Sequence, residues 1–283
     1  MTYKILGLGG GGSKGILHIG ALKVLEEHGK LIEQFSEVYG CSIGAGYAIG
    51  IAFGLDTIAL ERMSAKFSSF SGIFFDGLSL SELSETLTKK GLFNMTNLEN
   101  TFLEMFDSEG INLRNKKISD SLISLKICAT NITKKKLTIF QGDFPVMKAF
   151  LASACIPIIF CPQEINGSLY IDGGYLTNII MDFIPKEDHE KALTISIIHD
   201  DPKLTPENTR NISHTEFLYG LYKISCIYER FKNPHKNDIQ LDYELPSGIS
   251  DVGEKQRNEM ISRGYELTRR FFSQGSFQEN IKS

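Results

Sequence analysis

Gly40-Cys41-Ser42-Ile43-Gly44 separates two apolar runs, a strand-like one over residues 37–41 and a helix-like one over 43–54. This is the G-x-S-x-G pattern of a nucleophile elbow, a sharp strand-to-helix turn that holds a serine hydroxyl out of the backbone. Gly40 and Gly44 suit such a turn, because a side chain at either place would meet the neighbouring strand or helix. Five residues recur by chance, so the weight of the motif rests on its surroundings.

Upstream, residues 3–8 read as a buried strand, followed by glycines 7 to 12 and a helix over 13–28 with Ile16, Ile19, Leu22 and Leu25 on its apolar face. Downstream, helices are expected over 56–67, 79–90, 96–107 and 145–154. Residues 122–131 and 137–140 read as a hairpin or two strands, and 163–165 and 169–172 flank Asn166-Gly167, a type I′ hairpin signal. A strand over 192–199, a helix over 215–231, a strand over 239–245 and a helix over 254–273 complete the chain. The alternation predicts an α/β fold with a central, mostly parallel sheet flanked by helices and the elbow after the second strand. Residues 1–200 are expected to form the catalytic domain, 201–273 to pack on it, and 274–283 to form a disordered tail.

The 283 residues carry a net charge of −4 with 42% hydrophobic residues, which suits a globular protein and argues against nucleic acid as the partner. The basic run Lys134-Lys135-Lys136 reads as a solvated hairpin tip. Five scattered cysteines without C-x-x-C spacing indicate buried thiols in a reducing compartment, not a zinc site or a disulfide framework. The first residues lack the apolar core of a signal peptide, and no apolar stretch is long enough to span a bilayer. A soluble cytoplasmic protein with peripheral membrane contact is expected, with no metal and no cofactor.

Residues 7–15, Gly-Leu-Gly-Gly-Gly-Gly-Ser-Lys-Gly, contain G-x-G-x-x-G in two registers. A dinucleotide site would want an acidic residue after the second strand, where the elbow stands instead, and a P-loop would want Gly-Lys-Ser/Thr. A third use of such a turn is to aim backbone N–H groups and a helix N-terminus at a developing oxyanion beside Ser42. Glycines 10, 11 and 12 are the candidates.

A serine hydroxyl needs a base. His18 and His28 have simpler roles in or at the end of the first helix. His199 follows a strand, but a loop position beside Asp200-Asp201 accounts for it. Asp172 ends a strand and is followed by Gly173-Gly174, which allows a tight turn and close approach to another backbone. With the elbow and the glycine turn present, Asp172 reads as the base of a Ser–Asp dyad.

These blocks, with Ala152-Ser153-Ala154-Cys155-Ile156-Pro157, make the chain resemble the patatin-like phospholipases over roughly residues 4–200. The resemblance implies a lipid acyl hydrolase with Ser42 as nucleophile, Asp172 as general base, Gly10, Gly11 and Gly12 as oxyanion hole, and Lys14 in the place of the family's basic residue. It makes residues 153–157 a support for the Asp172 loop. One departure is Ile180, which stands where the family runs to a proline shortly after an asparagine, here Asn178. The implied substrate is a glycerophospholipid or another lipid ester. A neutral glyceride lipase or a catalytically silent lipid-binding module are the alternatives. The aromatic stretch 67–78 is either a lid or a set of core anchors.

Overall fold

The computed structural model describes residues 3–66, 90–177, 179–198, 204–212, 214–225, 235–245 and 251–274. The stretch 67–78, the expected helix over 79–90 apart from Lys90, Asn178, His199 and the tail from 275 lie outside them.

Eight strands form one sheet: β1 (Ile5–Leu8), β2 (Glu37–Cys41), β3 (Ser124–Asn131), β4 (Lys136–Phe140), β5 (Gln163–Ile165), β6 (Ser168–Asp172), β7 (Ala192–Ile197) and β8 (Asp238–Leu241). Their order is β5-β6-β3-β2-β1-β7-β8, with β4 also on β3. Pairings among β3, β2, β1, β7 and β8 are parallel, and those involving β4, β5 and β6 are antiparallel. The expected α/β fold with a central, mostly parallel sheet is therefore present.

The sheet's decisive detail is on β3. Cys128 pairs with Cys41 of β2, and the next residue, Ala129, pairs with Asp172 of β6. β4 occupies the other edge over the whole stretch from Ile127 to Asn131. β2 and β6 therefore share one edge of β3 and run toward each other, meeting with their C-terminal ends together.

Helices cover the face formed by Leu6, Leu8, Val38, Leu125 and Ile127. The helices of the described residues are α1 (Leu17–Glu26), α2 (Leu31–Gln34), α3 (Ile43–Ala52), α4 (Thr57–Lys66), α5 (Thr96–Ser108), α6 (Val146–Ser153), α7 (Pro206–Thr209), α8 (His214–Ser225) and α9 (Glu254–Ser273). The residues of α3 after Ile43 are buried all round, as its uninterrupted small and apolar sequence demands. On the opposite face Ile5, Tyr39, Cys41 and Cys128 meet Ile180, Met181, Phe183 and Ile184. Ile180 opens a 3-10 turn and its side chain lies over Gly7, so the missing proline leaves an ordered, buried segment.

Several boundaries differ from the sequence reading. The first helix begins as a 3-10 turn, Gly12–Ile16, before α1 proper. Pro145 is the N-cap of α6, with extended backbone, and the helix starts at Val146. Lys136 is already the first residue of β4, so the hairpin tip is centred on Lys134 and Lys135, the latter at φ 51°. Asn166 and Gly167, at φ 50° and 68°, make the I′ turn that the sequence predicted.

α9 is docked on α1 through a pair of glycines. A Cβ at Gly20 would lie 2.0 Å from the Ile261 carbonyl oxygen, and one at Gly264 would lie 2.1 Å from that of Leu17. Neither contact tolerates a side chain, so the two backbones touch.

Candidate active site

Ser42 sits between β2 and α3 with φ 55° and ψ −128°, a backbone conformation rare for a residue with a side chain. Two close approaches hold it there. A Cβ on Gly40 would lie 2.5 Å from Cα of Ala45, and one on Gly44 would lie 2.2 Å from the Leu8 carbonyl oxygen. The elbow glycines are thus required by contact, as the sequence suggested. The Gly44 contact also pulls α3 directly against the end of β1, where the glycine turn begins.

β1 and β2 are parallel neighbours, with Leu8 opposite Gly40. The turn after Leu8 therefore lies beside Ser42. Gly11 backs onto Ile197 of β7, where a Cβ would come within 2.8 Å of that side chain, and Gly12 has φ 55°. Gly10 and Gly11 are buried. No acceptor among the described residues takes the N–H of Gly10, Gly11 or Gly12. Buried backbone donors are ordinarily paired, so the open N–H groups of Gly10 and Gly11, with that of half-buried Gly12 beside them, suit an incoming acceptor. Lys14 is buried just behind this turn, its N–H bonded to the Gly11 carbonyl.

Asp172, also buried, reaches the same rim from the other direction at the end of β6. Its Oδ1 accepts from the N–H of Gly174 at 2.8 Å, capping the 3-10 turn Gly173–Tyr175. Gly173 is constrained as well, since a Cβ there would lie 2.6 Å from Sγ of Cys41. Oδ1 of Asp172 is 4.0 Å from Sγ of Cys41, the residue preceding Ser42. Burial and the neighbouring Asp172 push the Cys41 thiol well above its ordinary pKa, so it stays protonated.

Two supporting groups emerge only in three dimensions. The N–H of Ser42 donates to Oγ of Ser153 at 2.9 Å, and that hydroxyl donates to the Cys128 carbonyl at 2.6 Å. Two residues on, the Cys155 carbonyl accepts the N–H of Asp172 at 2.8 Å. The end of α6 and the residues just after it thus hold both Ser42 and Asp172, whereas the sequence assigned residues 153–157 to the Asp172 loop alone. The bond to Ser153 occupies the N–H of Ser42 itself and so fixes the elbow backbone.

His18 is the second. Its Nε2–H donates to the Gly9 carbonyl at 2.9 Å, and its ring lies edge-on to Tyr47 with centroids 5.7 Å apart. Full burial lowers its pKa to about 4, so it is neutral near pH 7. Its Nδ1 has no hydrogen-bond partner among the described residues. A core position fits the sequence reading, but the grip on the glycine turn was not legible there.

A cleft of about 880 Å³ lies at the opposite end of the sheet, lined by Lys4, Phe35, Ser124 and Lys126. It is remote from Ser42 because Lys4 and Phe35 precede their strands and Ser124 opens β3. Beside the elbow, Ile43, Tyr47, Met63, Phe102 and Met105 line a seam of about 30 Å³, one water's share of volume. An acyl chain could enter there only by parting those side chains.

The model of the patatin-like phospholipase family matches residues 6–183, which spans the elbow, the glycine turn and Asp172. The chain belongs to that family. Curated relatives include a probable lipid hydrolase of Invertebrate iridescent virus 6, 30% identical over 67% of this chain and 66% of that protein. Another is the lysophospholipase NTE1 of Meyerozyma guilliermondii, 26% identical over 83% of this chain. This chain spans just under two thirds of the viral protein and only 15% of the yeast one. Among solved structures, VipD from Legionella pneumophila superposes with a TM-score of 0.62 at 17% identity, over 97% of this chain and 67% of that one. ExoU of Pseudomonas aeruginosa, in complex with SpcU, gives 0.53 at 14% identity, over 96% and 52%. At these identities the likeness is one of fold.

Proposed function

We propose that the protein is a serine acyl hydrolase that cleaves fatty acyl esters of glycerophospholipids through a Ser42–Asp172 dyad. The observation that carries this reading is the end-to-end meeting of β2 and β6 on one edge of β3. It brings a strained serine, a buried carboxylate and three unpaired backbone donors to one rim.

In the first half-reaction Asp172 takes the proton of Ser42 as Oγ attacks the ester carbonyl carbon. The carbonyl oxygen becomes an oxyanion, held by the N–H groups of Gly10, Gly11 and Gly12. Collapse breaks the ester C–O bond, and the departing alcohol takes the proton from Asp172. Water then attacks the acyl-enzyme with the same base, releasing the fatty acid and restoring Ser42. A carboxylate is a weaker base toward a hydroxyl than an imidazole is. Proton transfer must therefore accompany charge development on the oxyanion, so the glycine donors and the α1 end carry more of the work than in a histidine triad.

A fluorophosphonate probe on the full chain, in the presence of phospholipid vesicles, tests the reading. Labelling confined to Ser42, absent in Ser42→Ala and strongly slowed in Asp172→Asn but retained in His199→Ala, is the expected result. Loss of turnover in a folded His199→Ala protein would transfer the role of base to that residue. A folded protein with no labelling would favour a silent lipid-binding module. Product profiling from mixed vesicles and triacylglycerol emulsions separates phospholipid from neutral glyceride substrates.

A further inference from the structure

We propose that the rim around the site docks on an anionic phospholipid bilayer, through a basic hairpin tip at Lys134, Lys135 and Lys136 and the apolar side chains of Leu169, Tyr175 and Leu176. This rests on the acyl-hydrolase reading for its purpose but on separate residues for its evidence.

The topology assembles the surface. β3 continues past the elbow to Asn131; the turn beyond it carries Lys134 and Lys135 and Lys136 opens β4, all three exposed. Lys134 N–H donates to Oδ1 of Asn131 at 2.8 Å, which fixes the turn. The second hairpin, β5–β6, pairs with β3 and is tied to the first at its tip by two further bonds. Ile132 N–H donates to the Leu169 carbonyl at 3.0 Å, and Leu169 N–H to Oγ1 of Thr133 at 2.9 Å. Leu169 is three residues before Asp172 on an extended strand, so the tied tips stand about 10 Å beyond the carboxylate. Tyr175 and Leu176 follow Asp172 on its other side.

The composition of this rim differs from the rest of the molecule. Leu169, Tyr175 and Leu176 are 39%, 42% and 36% exposed, three of the large apolar side chains the described surface leaves uncovered. Among the described residues no carboxylate pairs with any of the three lysines, whereas ion pairs occupy Lys23, Lys117 and Lys191 elsewhere. Apart from Asp172, Glu164 is the one acidic residue in the two hairpins. A concentrated positive tip on a chain of net charge −4, next to apolar side chains and a lipid-hydrolase site, complements a negatively charged bilayer. Each lysine near such a surface strengthens binding several-fold, and the effect falls within a Debye length of about 8 Å at physiological salt.

The test is vesicle co-sedimentation of the full chain in a Ser42→Ala background, which reads binding without turnover. Equimolar phosphatidylcholine and phosphatidylglycerol vesicles are compared with pure phosphatidylcholine. Binding should favour the anionic vesicles and weaken sharply in high salt. Replacing Lys134, Lys135 and Lys136 together by Gln should lower the anionic partition coefficient by roughly 100-fold. Leu169→Ser with Leu176→Ser should weaken binding to both vesicle types. With Ser42 restored, both sets should hydrolyse a soluble short-chain ester at the parent rate, which also reports that they fold. Unchanged anionic binding in the triple-Gln protein, or equal binding to both vesicles, would overturn the proposal and leave the hairpin to a protein partner. If the native chain bound in the expected pattern yet hydrolysed neither substrate, the hydrolase reading would fall while the docking surface stood.

Discussion

Two of the places where glycine brings backbones into contact, among the described residues, differ in what the contact is for. Between α1 and α9, Gly20 and Gly264 let two helices touch, and the surrounding residues are ordinary helix and core. At the elbow, Gly40 and Gly44 allow an equally close approach, but what they hold is a strained serine beside unpaired N–H groups and a buried carboxylate. The first contact is a docking device. The second stores strain that the packing of β1, α3 and α6 keeps in place.

The sharpest way to separate them is at the chemistry itself. Asp172→Asn retains an oxygen for the Gly174 N–H, so a folded protein with an unshifted melting temperature and roughly 10⁴-fold less turnover is expected. Retained activity would remove the dyad. Alanine at the paired glycines comes next. At Gly264 it adds a methyl 2.1 Å from a carbonyl, an overpacking cost of about 3 kcal/mol against a helix-propensity gain of about 1 kcal/mol. Urea unfolding should show the net loss, with activity per folded molecule unchanged. Gly44→Ala should lose activity beyond its loss of stability, because the elbow itself is displaced. Equal specific activities in the two variants would end the distinction drawn above.

Acid should act through His18. Unfolded, it takes up a proton below about pH 6.5, whereas in the folded protein it remains neutral until about pH 4. Stability present above pH 6.5 is therefore lost as the pH falls toward 4, by up to about 3 kcal/mol. His18→Gln should flatten this part of the stability–pH curve, measured by denaturant titration at each pH. The smallest effect is expected at Ser153. Removing its hydroxyl leaves the Ser42 N–H and the Cys128 carbonyl without their link, at about 1–2 kcal/mol. Ser153→Ala should show lower kcat with KM little changed, and Ser153→Thr should recover part of it.

Much of this was legible in the chain because it is local. A strained turn needs small neighbours, so Gly40, Ser42 and Gly44 announce the elbow, and glycines 10 to 12 announce a turn with free N–H groups. Strand and helix periods placed β2 and α9 at the residues where they are found. The three-lysine turn was legible as a hairpin tip, but its place above the site was not.

Sequence alone therefore determined the α/β class, the family and the identity of the candidate residues, since these follow from short-range pattern. Tertiary structure decided that β2 and β6 share an edge of β3 and meet at Cys41 and Asp172, more than 130 residues apart in sequence. It also decided that Ser153 grips Ser42 and that His18 grips Gly9. Register between distant strands is set by the packing of the whole sheet, and no local period encodes it.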